Sequence, residues 1–237
     1  VAALHSYGLS NKALYDLAIN TDFRQFRDFS ILRLLRHGGL SSGIKFEQWM
    51  DQQLDGMTFS EAPIPLHILA TDVNGGGPVI FSKETSPNMK VSHAVRCSMS
   101  IPLLFSYTVY EQHLLVDGAI LSEDALFRDW QQDGTPNICF RLRSEAREQP
   151  FNPKRRFMLP QYIGMLIRTF MTALSREYVH AEHWHNTLVI NTGAASSVDF
   201  DMSCEDKLSL YKQGYETAMN FLPVKLGKLN TSRPGAG

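Results

Sequence analysis

The run from Leu66 to Phe81 sets the tightest limit on what this chain folds into. Ahead of it, apolar residues recur at helical spacing. Leu14, Leu17 and Ala18 do so within Asn11–Ile19, and Ile31, Leu32, Leu34 and Leu35 within Phe29–Arg36, which stops at Gly38-Gly39. Phe46, Trp49, Met50 and Leu54 mark a third helix over Ile44–Leu54. Pro63 and Pro65 then punctuate, and Leu66-His67-Ile68-Leu69-Ala70-Thr71 reads as a strand. Asn74-Gly75-Gly76-Gly77 is a turn and Val79-Ile80-Phe81 the returning strand.

Beyond that point the two periods alternate. Lys90–Met99 is a short helix, Tyr107–Tyr110 and His113–Val116 a second hairpin, and Ser122–Gln131 helical. Asn137–Leu142 and Thr187–Asn191 are strands, while Phe157–His183 and Cys204–Leu222 are helices. Alternating strands and helices predict an α/β fold with a largely parallel sheet and helices layered around it. The Gly/Pro/Ser-rich tail from Gly227 reads as disordered.

Composition narrows the function classes. Lysine and arginine number 23 against 24 acidic residues, a formal charge of −1, in 237 residues. A nucleic-acid binder needs a basic surplus to displace counterions, so that class is set aside. The length suits one large domain or two small ones, and 43% hydrophobic residues are enough for a packed core. Cys97, Cys139 and Cys204 are an odd, sparse set that makes no disulfide framework, and no pair has metal-ligand spacing, which points to a reducing compartment. The start, Val1-Ala2-Ala3-Leu4-His5-Ser6, lacks an initiator Met and the basic and apolar runs of a signal peptide. It opens as if already inside a helix, so the natural beginning is expected upstream.

Four places carry candidate chemistry. Gly39-Leu40-Ser41-Ser42-Gly43 matches G-x-S-x-G, but that motif activates serine on a strand-to-helix turn. Here a helix ends at His37 just before it, so the match reads as a Gly/Ser linker between helices. Asn74–Gly77 lacks the Lys-Ser/Thr helix of a phosphate loop. His180, His183 and His185 cluster without the carboxylate or thiolate that metal sites add, and read as a solvated helix end. Leu114-Leu115-Val116-Asp117-Gly118-Ala119 delivers a carboxylate at a strand end, where ligands bind in α/β sheets. A carboxylate there can orient or deprotonate a nucleophile. Asp-Gly is equally a common turn dipeptide, so the residues alone leave both readings open.

Three stretches together resemble the patatin-like phospholipase family. The first is Pro63-Ile64-Pro65-Leu66-His67-Ile68-Leu69-Ala70-Thr71-Asp72, with Gly77-Pro78-Val79-Ile80-Phe81-Ser82 after it. The second and most specific is Ala94-Val95-Arg96-Cys97-Ser98-Met99-Ser100-Ile101-Pro102-Leu103-Leu104-Phe105, followed by Leu115-Val116-Asp117-Gly118-Ala119. It is similar to the family run A-x-R-A-S-x-S-I-P-x-x-F with an Asp-Gly-Gly/Ala at this distance. The third is Val198-Asp199-Phe200-Asp201-Met202-Ser203, with Gly214-Tyr215 and Phe221-Leu222 in the last helix.

The resemblance implies a three-layer α/β/α sandwich with a mostly parallel central sheet, over residues 1–225, with 226–237 as a tail. It implies hydrolysis of membrane-lipid esters by a serine-aspartate dyad without a cofactor. Asp117 matches the dyad aspartate. The family's nucleophile lies in a G-x-S-x-G elbow that continues as Ala-hydrophobic-Val-Ala-Ala-Leu, and this chain opens at Val1-Ala2-Ala3-Leu4. The serine and the glycine-rich oxyanion loop are therefore expected upstream of Val1, and the 237 residues alone are expected to be inactive. Ser122-Glu123-Asp124 departs from the family's Asn-x-Pro after the Asp-Gly pair. The expected partner is a phospholipid or other acyl lipid, in a cytoplasmic protein with peripheral membrane contact. The alternative is a non-catalytic relative that binds lipid or a protein partner.

Arg141–Arg156 is a polar loop with six basic and two acidic residues. The apolar run after it, Phe157–Leu174, carries Pro160, Gln161 and Arg168 and makes a poor membrane span. It fits either an interfacial helix with basic residues at headgroups or a buried helix in which methionines fill gaps.

Overall fold

A computed structural model describes residues 1–121, 127–130, 135, 137–145, 159–176, 181–196 and 198–231. The chain divides into two compact units, Val1–Glu123 and Asp124–Gly237.

The first unit opens with helices α1 (Ala2–Ser6), α2 (Asn11–Asn20) and α3 (Ile31–His37). Ser10 caps α2 by accepting the Ala13 N–H at 3.2 Å, and Ser30 caps α3 by accepting that of Arg33 at 3.4 Å. Gly38 ends α3 in the left-handed conformation at φ 69°, which glycine adopts without a Cβ penalty. Strand β1 (Gly39–Ser41) follows, and Gly43, at φ 70°, opens helix α4 (Ile44–Gln53). Strands β2 (Ile68–Asp72) and β3 (Gly77–Phe81), helix α5 (Val91–Ser98), and strands β4 (Leu103–Phe105), β5 (Thr108–Tyr110) and β6 (His113–Asp117) complete the unit.

Its four-stranded sheet has the order β3-β2-β6-β5, and every neighbouring pair is antiparallel. The α/β class is as expected, but the parallel pairing lies elsewhere. β1 pairs with β4 in parallel, Gly39 opposite Leu103 and Ser41 opposite Phe105. The physical reason is connection length. β2–β3 and β5–β6 are joined by tight turns, which only antiparallel strands permit, whereas parallel strands need a long crossover.

Helix α5 packs between this sheet and α4. Val91, Ala94 and Cys97 are fully buried on one side of it, spaced three apart. With Leu54, Phe59, Phe81 and Leu115 they form the centre of the core. Phe26, in a 3-10 turn ahead of α3, and Phe46 of α4 meet edge to face at 5.2 Å. Burial pushes the Cys97 thiol up to about 12, so it stays protonated and acts as a small apolar core residue.

In the second unit, strands β7 (Cys139–Arg143) and β8 (Thr187–Asn191) pair in parallel, Cys139 opposite Thr187 through Arg143 opposite Asn191. Helix α6 (Leu159–Arg176) lies between them in sequence and supplies the crossover. Helix α7 (Cys204–Thr231) closes the chain and continues past Gly227, where a disordered tail was expected; residues 232–237 lie outside the described residues. The expected helix over 122–131 falls mostly outside them, and residues 127–130 are turn and bend. Of the expected loop 141–156, Arg141–Arg143 belong to β7 and 146–156 are not described. On α6, Ile163 and Ile167 are buried while Leu159, Tyr162 and Leu166 are exposed, so one face packs and the other does not. No described helix is long and apolar enough to cross a membrane.

Candidate active site

Asp117 ends β6 beside Ala70 of β2, at the close of the apolar run Leu114-Leu115-Val116. It is 9% exposed. Its backbone N–H donates to Ser100 O at 3.0 Å, and its Oδ1 accepts the Ala119 N–H at 2.8 Å, which starts a short 3-10 turn. Burial raises the carboxyl above its ordinary 3.8, and the Ala119 N–H lowers it in part. The result is a basic carboxylate, the property a proton acceptor needs.

Gly118 is required by a close approach. A Cβ there would stand 2.2 Å from Leu69 O, inside the backbone of β2. The Asp-Gly pair is therefore both a turn and the device that seats Asp117 against the sheet.

Behind Asp117 lies a buried polar lattice centred on Arg96 of α5, 4% exposed. Its Nε donates to Ser42 O at 2.9 Å, its Nη1 to Ser100 Oγ at 2.5 Å and its Nη2 to Ser106 O at 2.8 Å, with a further donation from Nη2 to Ser42 O. Ser100 Oγ in turn donates to Arg96 O at 2.8 Å. Ser100 thus joins Arg96 to the Asp117 backbone. The guanidinium is held by backbone and hydroxyl oxygens, and burial lowers it from its ordinary value. In the sequence Arg96 stands out only as part of a motif; its one further signal is a charged residue on a helix that otherwise faces the core.

The G-x-S-x-G match is built differently from expectation. Ser41 lies in strand β1, so a strand and not a bare linker separates α3 from α4. Ser41 Oγ donates to Asp28 Oδ1, Ser42 Oγ to Asp28 Oδ2 at 2.7 Å, and the Ser42 N–H to Asp28 at 3.2 Å. Ser41 is fully buried. Burial alone would raise Asp28, but these donors outweigh it and hold the carboxyl below its ordinary value. Asp28 is consumed in pinning the turn, and a serine closed to solvent is a poor nucleophile toward a bulky ester.

At the other end of β2, Asp72 Oδ2 sits 2.7 Å from His113 Nδ1 and Oδ1 accepts the Asn74 N–H at 3.1 Å. Asn74 also bonds to Gln112 O and to the Leu114 N–H. These contacts clamp the β2–β3 turn to the β5–β6 hairpin and fix where β6 delivers Asp117. Of the three clustered histidines, His180 lies outside the described residues, and His183 stacks on Phe127 at 3.9 Å. Among the described residues no three His, Cys, Asp or Glu side chains come together as a metal site.

A sequence model described as patatin-like phospholipase matches residues 1–126, more than half of the chain and all of the lattice above. This chain belongs to the patatin-like phospholipase family. An uncharacterized protein of Acanthamoeba polyphaga mimivirus is 25% identical over 200 residues, covering 80% of this chain and 67% of that protein. The uncharacterized protein YqhO of Bacillus subtilis (strain 168) is 24% identical over 247 residues, covering 94% and 84%. The crystal structure of VipD from Legionella pneumophila matches with a TM-score of 0.45 at 16% identity, over 76% of this chain; the chain spans about a third, 34%, of that structure's length. Membership in the patatin-like family brings lipid acyl hydrolysis as the family's chemistry, and the matched region contains Asp117 and Arg96.

Proposed function

We propose that this chain carries the proton-accepting half of a phospholipase A-type lipid acyl hydrolase. Asp117 is its general base, and the nucleophilic serine sits on an elbow directly ahead of Val1. The observation that carries the reading is the Asp117 carboxylate, buried at a strand end with its basicity raised and one backbone donor on Oδ1.

The chemistry follows from two groups. The serine Oγ attacks the ester carbonyl of the lipid while Asp117 takes its proton. The carbonyl oxygen becomes an oxyanion, which needs backbone donors from a glycine-rich loop expected with the elbow. Collapse breaks the ester bond, and the lysolipid alcohol leaves with the proton from Asp117. Water then attacks the acyl-serine, Asp117 again takes a proton, and the free fatty acid departs as the proton returns to the serine. No histidine and no cofactor enters.

Fatty-acid release from phosphatidylcholine vesicles by the protein with its elbow segment tests this. Asp117→Asn is expected to lower the rate about 10²- to 10⁴-fold with the fold retained. Full activity in that variant, or Asp117-dependent turnover by the 237-residue chain alone, would sink the assignment.

A further inference from the structure

Helix α3 faces the wrong way for a helix of a folded domain. Apolar residues at helical spacing ordinarily turn toward the core. On α3, Leu34 is half-buried, but Leu35 is 75% exposed, Leu32 58% and Ile31 45%, and Phe29 just before it is 47% exposed. Four large apolar side chains thus point into solvent from seven consecutive positions around one short helix.

The backbone beneath them is fixed. Ser30 caps the helix and its N–H donates to Leu40 O at 2.8 Å, while Asp28 is tied to Ser41 and Ser42. Gly38 ends the helix in the left-handed conformation. The apolar face is therefore held outward by a pinned frame.

Cationic side chains rim this face. Arg27, Arg36 and His37 are exposed around it, whereas Arg33 is half-buried with its Nε enclosed and its charge acting on Asp28. The Arg27 guanidinium sits 6.0 Å from the Phe29 ring centre. The acidic residues nearby are engaged, Asp22 with Arg24 at 2.9 Å and Asp28 with the two serines. Apolar residues at the centre and arginines at the edge match a bilayer with anionic headgroups, acyl chains taking the former and phosphates the latter. A second copy of this chain matches poorly, because a twofold contact would set arginine rim against arginine rim.

We infer that the α3 face, Phe29, Ile31, Leu32 and Leu35 within the rim of Arg27 and Arg36, docks the protein onto an anionic lipid surface. This rests on the lipid-hydrolase reading for the kind of surface approached. Flotation of the 237-residue chain with vesicles of phosphatidylcholine alone, and of phosphatidylcholine mixed with phosphatidylserine, tests it. Binding is expected to favour the mixed vesicles and to weaken as salt rises. The double variant Leu32→Ser with Leu35→Ser should bind at least about tenfold more weakly with unchanged thermal unfolding. Arg36→Gln should bind about fivefold more weakly. Undiminished flotation of the folded double variant would overturn the proposal. So would equal binding to phosphatidylcholine alone, or a concentration-dependent dimer that the double variant abolishes. Hydrolysis of a soluble short-chain ester by the protein with its elbow segment should be untouched by the double variant. Absence of any such hydrolysis in the unmodified protein would count against the catalytic reading alone, since flotation reads docking without turnover.

Discussion

Asp28 and Asp117 lie in the same unit, each at the end of a short segment that leads to a turn, and they have opposite surroundings. Asp28 has two serine hydroxyls and a backbone N–H on its carboxylate, and is held below its ordinary value. Asp117 has the Ala119 N–H and a burial that raises it. A serine beside an aspartate inside a G-x-S-x-G match thus marks the structural carboxylate here, and the sparsely hydrogen-bonded one marks the candidate base. Donors that stabilise a carboxylate also remove its capacity to accept a proton.

The largest effect that would break this contrast is catalytic. In the protein with its elbow segment, Asp28→Asn should keep ester hydrolysis within about tenfold of the unmodified enzyme once folded, against the 10²- to 10⁴-fold loss expected for Asp117→Asn. Equal losses in kcat for the two variants would erase the distinction. Arg96→Met comes next. It strips the buried donors from Ser42 O and Ser106 O, and should cost about 3 kcal/mol in chemical denaturation. A loss within error of zero would show that the lattice supports nothing. Gly118→Ala forces a Cβ against Leu69 O and should cost about 2 kcal/mol, read from the same unfolding curves.

The smallest effect is a pair of opposite pH slopes. Asp28 has a lowered folded value, so its contribution is present above its ordinary 3.8 and disappears as pH falls through the lowered value. Asp117 has a raised folded value, so the native state holds its proton longer than the unfolded chain, and stability falls as pH rises from 3.8 through that raised value. Asp117→Asn should therefore raise the melting temperature at neutral pH, and Asp28→Asn should lower it. The same sign for both would contradict the assigned environments.

Much of this was legible in the residues. The helices over 11–20, 31–37, 44–53 and 91–98 and the hairpin strands around residues 74 and 111 carry clear periodicity, and Asp117 stands where an apolar strand ends. Strands β1 and β4 were not legible. Three residues are too few to display a period, and their partner lies more than sixty positions away. That blind spot is why Gly39–Gly43 read as a linker. The outward face of α3 escaped for a different reason, since periodicity gives the width of an apolar face and not its direction. Arg96 is visible as a residue type and Ser100 lies one helical turn on, but its backbone partners Ser42 O and Ser106 O come from segments that only the fold brings together.

Carboxyl titration by carbon-13 NMR on the folded chain tests the central contrast most directly, with Asp28→Asn and Asp117→Asn used to assign the two resonances. The account predicts that Asp117 titrates above 3.8 and Asp28 below it. An Asp117 that titrates at or below 3.8, level with Asp28, would contradict its role as the proton acceptor.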